Sequence, residues 1–444
     1  MDNNLQPKRK SQMSDNERVR DFQRKLYQKA KQETDFRFYV LYDKVRLPHF
    51  LREAYRRCKA KGGSPGVDKM RFEDVEENGR EKFLEEIIEK LKNRTYKPQP
   101  VLRVEIPKRN GKLRPLGIPV IEDRVIQMVV KLVIEPIFEA DFEESSYGFR
   151  PKRGAKDAIS EIKQNLKKGK VDIFDADLSN YFDTIPHKEL LKLIGMRISD
   201  KNIIHLIKMW LKAPIMKDNR PTGGKKNKIG IPQGGVISPL LANIYLHLID
   251  KAVSREDGAF SRFGIKIVRY ADDFVLMANS IPEESMKYLG KLLSKMKLKL
   301  NMGKSRSVYA KEEKFDFLGF TFGYKRDIFG RKGMKYWCIE PSKKSQKNVR
   351  QKIKEYIGKN RHKNSEEFAA GINRIMRGWL NYFQINGISH SSKAKKNLKH
   401  YLSGKLVKFF KRKSQRRCKL YNQGALRVMI DKYGLIDPTK YTLC

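Results

Sequence analysis

IKIVRYADDFVLMA, residues 265–278, places two adjacent aspartates, Asp272 and Asp273, between two runs of strand-forming residues. Two such runs separated by a few polar residues are typical of a β-hairpin, so the carboxylates are predicted at its tip. Adjacent carboxylates repel one another, and a divalent cation that prefers hard oxygen ligands would relieve that repulsion. The alternative is an acidic turn in water, because aspartate is a favoured turn residue.

Asp177 lies at the end of a second strand-like run, VDIFDADL (171–178). A carboxylate there and two more at a nearby hairpin tip could converge on two metal ions ~3.5–4 Å apart, which clamp the attacking and leaving oxygens of an in-line displacement. Asp175 would share the same face of the strand and is a rival ligand. The position at the strand end favours Asp177, but the spacing leaves both open.

The net charge narrows the class of partner. The 444 residues include 96 Lys and Arg against 51 Asp and Glu, a formal net charge of +45, and 39% of them are hydrophobic, enough for a folded core. Such a surplus would repel itself unless a polyanion neutralises it, and nucleic acid is the natural counterion. No apolar run approaches the ~20 residues of a spanning helix, and the N-terminus is polar, so no membrane partner or signal peptide is predicted. Composition alone leaves generic RNA binding open.

The remaining pattern predicts α+β structure in the middle of the chain and helices at both ends, after a basic tail at 1–13. A turn at Asn110-Gly111 would join two strands into a hairpin. The predicted strands, besides those above, are 101–108, 112–120 and 315–322, and the predicted helices are 15–31, 49–59, 81–91, 123–139, 202–212 and 283–300.

Seven motifs occur in the order found in reverse transcriptases, and the set most resembles the enzymes encoded by bacterial group II introns. The likeness extends from about Gly63 to at least WLNYF (379–383). The motifs are IPKRNGKLRPLGIPVIEDR (106–124), SSYGFRPKRGAKDAI (145–159), DADLSNYFDTIPH (175–187), GIPQGGVISPLLANIYL (230–246), RYADDFVLMA (269–278), LNMGKS (300–305) and FDFLGFTF (315–322).

The resemblance implies a role for individual residues. It makes Asp177, rather than Asp175, the first catalytic carboxylate, and Asp272 and Asp273 the second and third, all three holding two Mg²⁺ ions for which Mn²⁺ can substitute. Other positions matching the family would bind the incoming nucleotide: Lys108 and Arg114 at its triphosphate, Gln233 and Gly234 in the loop that shapes its pocket, and Lys304 near the leaving pyrophosphate. Gly303 precedes Lys304 where the family usually has an acidic residue.

Phe182 occupies the position at which the family places a bulky ring beneath the sugar, which would exclude a 2′-hydroxyl and select deoxynucleotides. From spacing alone Phe182 is a core aromatic residue. Viral RNA-dependent RNA polymerases resemble the chain less, because they typically carry glycine where this chain has Ala271.

The fold implied is α+β: a right-hand polymerase with fingers, a ferredoxin-like palm and a helical, basic thumb or maturase domain. We expect a basic tail and N-terminal extension over 1–100, fingers and palm over 101–330, and the thumb over 331–444. Residues 341–420 hold 23 Lys and Arg against 3 Glu. A basic cluster interleaved with aromatic residues suits a groove that follows phosphates, although it could be a solvated face; its members are Lys411, Arg412, Lys413, Arg416 and Arg417.

The expected function is RNA-directed DNA polymerisation on an RNA template from a DNA or RNA primer, with binding of the parent intron RNA as a splicing maturase and action on a DNA target. The expected location is the bacterial cytoplasm, with association to the nucleoid. Two alternatives stay open. One is a maturase whose polymerase is vestigial, against which the three intact aspartates argue. The other is a free-standing reverse transcriptase recruited to DNA repair or phage defence.

The cysteines predict what the chain lacks. Cys58, Cys338, Cys418 and Cys444 form no CxxC pair, which argues against a structural zinc site and a disulfide framework and favours a reducing compartment. Many group II intron proteins carry a metal-dependent endonuclease after the thumb. Cys418 and Cys444, with His390 and His400, lack the spacing of a zinc-type site. We therefore expect no second-strand cleavage, and priming from a pre-existing 3′ end such as a nascent strand at a replication fork.

Overall fold

The computed structural model describes residues 13–107, 113–217, 220–224, 227–327, 334–411 and 424–442. Their fold is α+β, as predicted, with sheets in the middle of the chain and helices on either side. Among these residues, no helix is both long enough and apolar enough to cross a membrane.

The N-terminal part is a layer of helices packed on one central helix. Its members are α1 (Asp15–Gln32), α2 (Tyr42–Val45), α3 (Pro48–Lys61), α4 (Phe72–Glu77) and α5 (Arg80–Lys92), and the central helix is α6 (Ile121–Asp141). Ser14 and Glu17 cap the start of α1 reciprocally, which satisfies backbone donors that the first helical turn leaves unpaired. Since α6 is buried over most of its surface, it forms the centre of the N-terminal core.

A four-stranded sheet, here the fingers sheet, adjoins this layer. Its order is β2-β1-β4-β5, with β1 at Val101–Pro107, β2 at Leu113–Ile118, β4 at Pro214–Lys217 and β5 at Arg220–Gly223. Strands β1 and β2 pair antiparallel from Leu102↔Ile118 to Pro107↔Leu113, which confirms the predicted hairpin pairing. The turn at Asn110-Gly111 lies outside the described residues.

A second four-stranded sheet, the palm sheet, has the order β6-β7-β3-β8 and is antiparallel throughout. Its strands are β3 (Asp172–Asp177), β6 (Lys266–Tyr270), β7 (Asp273–Ala278) and β8 (Arg306–Tyr309). Helices α7 (Ala155–Lys167), α8 (Tyr181–Thr184), α9 (His187–Arg197), α10 (Lys201–Leu211), α11 (Ser238–Ser254) and α12 (Glu283–Lys295) connect and cover the two sheets, together with a short 3₁₀ turn at Ser261–Phe263.

The palm sheet is buried on both faces and separates two cores. Alternate residues of β3 and β7 belong to the N-terminal core, namely Phe174, Ala176, Phe274 and Leu276. Their neighbours Ile173, Val275 and Met277 belong to a C-terminal core. Because side chains alternate along a strand, Asp177 and Asp273 project from the face of the C-terminal core, beyond its apolar residues.

The C-terminal part begins with a three-stranded antiparallel sheet of order β11-β10-β9. Its strands are β9 (Phe315–Phe317), β10 (Phe320–Arg326) and β11 (Lys335–Pro341), and the helices that follow are α13 (Lys343–Lys359), α14 (Ser365–Phe383), α15 (Ser392–Lys411) and a last helix at Ala425–Tyr433. The prediction of one strand over 315–322 is wrong. Leu318 (φ +48°) and Gly319 (φ +83°) adopt left-handed backbone conformations that break the run into two strands.

Candidate active site

The predicted hairpin is present, and its tip lies beside the end of β3. Tyr270 pairs with Asp273, so Ala271 and Asp272 are the two central residues of the turn. Across the sheet, Asp177 on β3 pairs with Asp273 on β7. Directly opposed residues of an antiparallel pair have Cβ atoms ~4.5–5.5 Å apart, so the strand register brings the predicted aspartates together.

Asp175 is placed differently from Asp177. It pairs with Val275 on β7 and with Arg306 on β8, two residue pairs farther from the sheet end than Asp177. Burial raises the pKa of Asp175 to about 6, while the nearby Arg306 guanidinium opposes the shift. The register therefore sets Asp177 opposite another carboxylate and Asp175 opposite an apolar side chain.

The hairpin aspartates are costly to ionise together. Burial first, and then the charge of Asp177, raise the pKa of Asp272. Burial, followed by repulsion from Asp272, Asp177 and Asp175, raises the pKa of Asp273 to about 6. The Asp273 side chain is exposed, so water weakens both the burial effect and the repulsion among the four nearby carboxyls, without changing the direction of either. Such a cluster is suited to bind positive charge.

Lys304 supplies one such charge. Its Nζ donates to Asp177 Oδ2 at 2.7 Å. The loop that carries Lys304 is tied to the same strand end, because the Asn301 amide donates to the Asp177 carbonyl at 2.8 Å and the Asp177 amide donates to Ser305 Oγ at 3.1 Å. The resemblance predicts Lys304 near a leaving pyrophosphate; this structure places it on the first aspartate.

The donor chemistry of the site fits a hard divalent cation, since carboxylate oxygens are the ligands that Mg²⁺ prefers. The side chains do not form a closed metal shell, however. Within the described parts of the chain, no group of three or more His, Cys, Asp or Glu residues is gathered closely enough to hold a metal ion. One oxygen of Asp177 accepts from Lys304.

Beneath the turn lies a buried polar network that the sequence patterns do not reveal. Arg269, on β6, is fully buried and forms an ion pair with Asp250 of α11, which is also fully buried. Its guanidinium also donates to Asn243, to Ser146 and to the backbone carbonyl of Ala271 in the turn. In sequence, an arginine that alternates with apolar residues resembles a solvent-facing strand residue, and its partners are remote.

The loop predicted to shape the nucleotide pocket is joined to the fingers sheet. The Gly117 amide of β2 donates to the Gln233 carbonyl at 2.5 Å. Gly234 has φ +113°, and a Cβ on it would lie 2.2 Å from the Gly117 carbonyl oxygen, so this position requires glycine. A cavity of about 320 Å³ opens beside this junction, lined by residues that include Arg103, Gly117, Asp183 and Gln233.

Two cations, Lys108 and Arg114, were predicted at the triphosphate, and Arg114 is the one that lies among the described residues. Arg114 lies on β2 with an exposed side chain, and its positive charge acts to lower the pKa of Asp272 against the larger effect of burial. Arg114 is therefore near enough to the turn to influence its charge. Lys108 lies outside the described residues.

Phe182 is the second residue of α8. This helix begins directly after Asn180, whose φ of +45° turns the chain beyond the end of β3. The ring is partly buried against the N-terminal core and packs edge-on against Tyr181, with ring centroids 5.5 Å apart. The Ile231 amide donates to the Phe182 carbonyl at 2.7 Å, which ties α8 to the loop containing Gln233. Phe182 thus lies between the β3 carboxylate and the glycine loop, and it retains both of its predicted roles.

An open groove of about 600 Å³ lies where the β9–β10 turn meets α13 and α14; we call it the thumb groove. Tyr382 Oη donates to the Leu318 carbonyl, and Ser345 Oγ donates to the Gly319 carbonyl, each at 2.9 Å, so the two helices hold the turn. Its lining residues include apolar Leu318, Val349 and Ile375, and polar Asn348, Lys352, Arg374 and Trp379.

The polar side of the thumb groove consists of donors. Lys352 and Arg374 are exposed and form no ion pair with a described carboxylate. Asn348 Nδ2 and the indole Nε1 of Trp379 are buried without a hydrogen-bond partner in the described structure. Buried donors without a hydrogen-bond partner lower the stability of the fold. The groove therefore suits a ligand that accepts hydrogen bonds and carries negative charge.

Only one member of the predicted basic cluster can be placed. Lys411 is exposed at the end of α15, whereas Arg412, Lys413, Arg416 and Arg417 lie outside the described residues, as do Cys418 and Cys444. Cys58 and Cys338 are buried as free thiols.

Residues 106–322 match the family described as reverse transcriptase (RNA-dependent DNA polymerase), and residues 346–424 match the maturase-specific domain of group II introns. Protein YkfC of Escherichia coli strain K12 is 34% identical over 352 residues, which cover 70% of this chain and 90% of that protein. The group II intron-encoded protein LtrA of Lactococcus lactis subsp. cremoris is 36% identical over 239 residues, 54% of this chain and 39% of LtrA.

Among solved structures, a chain of a partial Cas6-RT-Cas1--Cas2 complex is 22% identical, covers 57% of this chain and 42% of its own length, and aligns with a TM-score of 0.35. That overlap is too loose to define the arrangement of this chain.

The fold and the two domain matches define an RNA-directed DNA polymerase of the right-hand type, which confirms the predicted fold class and enzyme class. The chain belongs to the group II intron family of reverse transcriptases, in which a maturase-specific domain follows the polymerase. Enzymes of this family generally use divalent metal ions, and the two domains imply binding of an RNA template and of intron RNA.

Proposed function

We propose that Asp177, Asp272 and Asp273 form the nucleotidyl-transfer site and hold two Mg²⁺ ions, for which Mn²⁺ can substitute. The observation that carries the proposal is the strand register, which sets Asp177 opposite Asp273 at the sheet end, with Asp272 in the adjoining turn. The raised pKa of Asp273, which burial and then repulsion from the neighbouring carboxylates produce, supports it, because bound cations would offset both effects.

The reaction is attack of a primer 3′-hydroxyl oxygen on the α-phosphorus of a deoxynucleoside triphosphate, with cleavage of the bond to the bridging oxygen and release of pyrophosphate. When bound, the ions would stabilise the charge on the attacking and leaving oxygens. The carboxylates fix the site, while Lys108, Arg114 and Lys304 neutralise the triphosphate and the pyrophosphate. Lys304 and a metal ion compete for Asp177, so we expect the ion pair with Lys304 to open when the substrate complex forms.

Nucleotide selection is assigned to Phe182, Gln233 and Gly234. Phe182 and the glycine loop are joined through the Ile231 amide, and the loop is joined to β2 through Gly117. Because its backbone is tied to this loop and its ring packs against Tyr181, Phe182 could exclude a 2′-hydroxyl from a fixed position, and the glycines permit close approach of the backbone to the nucleotide.

The thumb groove is assigned to the primer–template duplex. Its two unpaired cations and two unpaired donors suit phosphate and sugar oxygens, and its apolar side suits the sugar edge of a duplex. The basic cluster Lys411, Arg412, Lys413, Arg416 and Arg417 is assigned to RNA binding. We propose an RNA template with a DNA or RNA primer, a DNA target, and intron RNA as the ligand of the maturase domain.

The proposed domains are 1–100, 101–330 and 331–444. The proposed location is the bacterial cytoplasm, with association to the nucleoid during action on DNA.

The test is extension of a DNA primer on an RNA template by Asp272→Asn. A neutral amide is a poor ligand for a hard cation, so the rate should fall by more than about a thousandfold, or ~4 kcal/mol, while the melting temperature is kept. Asp257→Asn is the matched control, because Asp257 is exposed in the segment between α11 and β6, which leads into the end of β6 opposite the turn, and it forms no ion pair with a described cation. Extension by Asp272→Asn at a rate near that of Asp257→Asn would overturn the proposed site.

Primer extension by the wild-type protein also distinguishes an active polymerase from a maturase whose polymerase is vestigial. Intron splicing assisted by the protein without primer extension by the wild type would favour the maturase alternative. Intron RNA structure in the DNA flanking the reading frame would separate an intron enzyme from a free-standing one.

A further inference from the structure

The buried Arg269 uses every donor of its guanidinium. Nε and Nη2 donate to the Asp250 carboxylate at 2.8 and 2.5 Å, and Nη2 also donates to Ser146 Oγ at 2.6 Å. Nη1 donates to Asn243 Oδ1 at 2.9 Å and to the carbonyl oxygen of Ala271 at 3.0 Å. The Ala271 carbonyl belongs to the peptide group that leads into Asp272, so this bond fixes the peptide plane from which the aspartate projects.

The conformation of that peptide group is unfavourable for alanine and requires stabilising contacts. Ala271 has φ +58°, and a hairpin turn of two residues with positive φ at the first position favours glycine there. In this conformation the Cβ of alanine crowds the backbone, so an unsupported turn would relax to another geometry and move Asp272.

The opposite side of the turn is supported through the same network. A Cβ on Gly148 would lie 2.3 Å from the Ala271 amide nitrogen, so Gly148 packs directly on the turn. Asn243 Nδ2 donates to the Gly148 carbonyl at 2.8 Å, and Asn243 Oδ1 accepts from Arg269. Asn243 therefore links the support on the two sides of Ala271.

We propose that Arg269 is a positioning residue for nucleotidyl transfer: its buried ion pair with Asp250 clamps the Ala271 carbonyl and thereby fixes Asp272. Only a planar fork with five donors can serve Asp250, Asn243, Ser146 and the turn together, and lysine cannot. Asp250 compensates the buried charge, without which the arginine could not remain there. This inference rests on the proposed role of Asp272.

The primary test is Arg269→Lys, with Arg197→Lys as the matched control. Arg197 is nearly as buried, but it donates to the Ala30 and Phe36 carbonyls of the N-terminal layer. We expect Arg269→Lys to lower kcat by about 10- to 100-fold, the scale that a misplacement of ~1 Å produces. The KM for the deoxynucleotide should stay within about twofold, since the nucleotide pocket is untouched.

A second readout does not depend on turnover. Mn²⁺ binding, followed by electron paramagnetic resonance in the absence of nucleotide, should weaken in Arg269→Lys and not in Arg197→Lys. Adding Ala271→Gly to Arg269→Lys should recover part of kcat, because glycine adopts the turn without support. A role limited to stability predicts no such rescue.

Two further variants keep the test informative if lysine is not tolerated. Arg269→Met with Asp250→Leu removes both buried charges, so the double variant should fold and still lose the clamp. Asn243→Ala leaves the ion pair intact and removes the link to Gly148. Both should show reduced kcat and weaker Mn²⁺ binding at a melting temperature near that of the wild type.

Folded Arg269 variants with wild-type kcat and wild-type Mn²⁺ affinity would overturn the inference, as would a loss of kcat equalled by Arg197→Lys. Asp272→Asn is measured in the same series. If Asp272→Asn remains active, the proposed function fails; if it is inactive while folded Arg269→Lys is fully active, only the positioning role fails.

Discussion

The turn at Ala271 and Asp272 and the thumb groove present their charged side chains by opposite means. At the turn, buried side chains fix the backbone on both sides of Ala271, and the strand register fixes Asp177 against Asp273. In the thumb groove, Lys352 and Arg374 extend from helices into solvent without a described partner. Transfer between defined atoms requires fixed geometry, whereas binding a polyanion of any sequence requires charge and area. Single changes should therefore have large effects at the turn and small, salt-dependent effects in the groove.

The largest difference is expected within β3 itself. Asp177→Asn should reduce primer extension by more than about a thousandfold, whereas Asp175→Asn should have a much smaller effect, because Asp175 faces Val275 and not the hairpin carboxylates. Steady-state extension rates of the two variants, with melting temperatures as the control for folding, make the comparison. Equal losses would show that the register does not select the ligand.

A single methyl group should disturb the nucleotide loop. Gly234→Ala places a Cβ 2.2 Å from the Gly117 carbonyl oxygen at a φ that side chains rarely adopt, so the loop must move. We expect kcat/KM for the deoxynucleotide to fall by about 100-fold, with primer–template affinity kept. Gly290→Ala is the control, since a Cβ on that helical glycine meets no atom within 4 Å. Comparable kcat/KM values for the two variants would remove the loop from the nucleotide site.

A smaller change is expected from Phe182→Ala, which should raise the use of ribonucleotides relative to deoxynucleotides. Removing the ring opens space for a 2′-hydroxyl, and discrimination of this kind is worth ~1–3 kcal/mol. Competitive incorporation of the two nucleotides measures it. An active variant with unchanged discrimination would leave Phe182 as a core residue only.

The smallest effects are expected in the thumb. Lys352→Gln with Arg374→Gln should weaken binding of primer–template and flatten its dependence on salt, since each lost phosphate contact lowers the slope of log affinity against log salt concentration by ~0.7–0.9.

Neutralising Lys411, Arg412, Lys413, Arg416 and Arg417 together should likewise weaken binding of single-stranded RNA and flatten its dependence on salt. The rate on saturating template should survive in both cases. A slope identical to that of the wild type would make the altered cations a solvated face.

The sequence could predict the elements that local residues determine, but not those that contacts between distant residues determine. Local composition was sufficient for the β6–β7 hairpin, because its strand formers and its acidic turn are contiguous. Composition failed at FDFLGFTF, where Gly319 is a signal for a turn but nothing marks Leu318 itself as left-handed, and where Ser345 and Tyr382 of the thumb helices hold the turn. Tertiary contacts override local propensity at such positions.

The residues of the candidate site also differ in whether the sequence alone could identify them. Asp272 and Asp273 could be singled out from a short stretch, and the choice of Asp177 needed the resemblance. Arg269 could not be found, since Asp250, Asn243 and Ser146 are adjacent to it only in the folded chain. The ion pair between Lys304 and Asp177 was likewise not predicted, because the residues are 127 positions apart.

The central claim, that these three carboxylates hold the reactive ions, is tested most directly by locating the ions. Crystals of the protein with an RNA–DNA primer–template, a non-hydrolysable deoxynucleoside triphosphate and Mn²⁺ should show anomalous peaks for two ions coordinated by Asp177 and by the Asp272–Asp273 pair, with the Lys304–Asp177 ion pair opened. Mn²⁺ peaks away from Asp177 and Asp272, with Lys304 still bound to Asp177, would contradict the account.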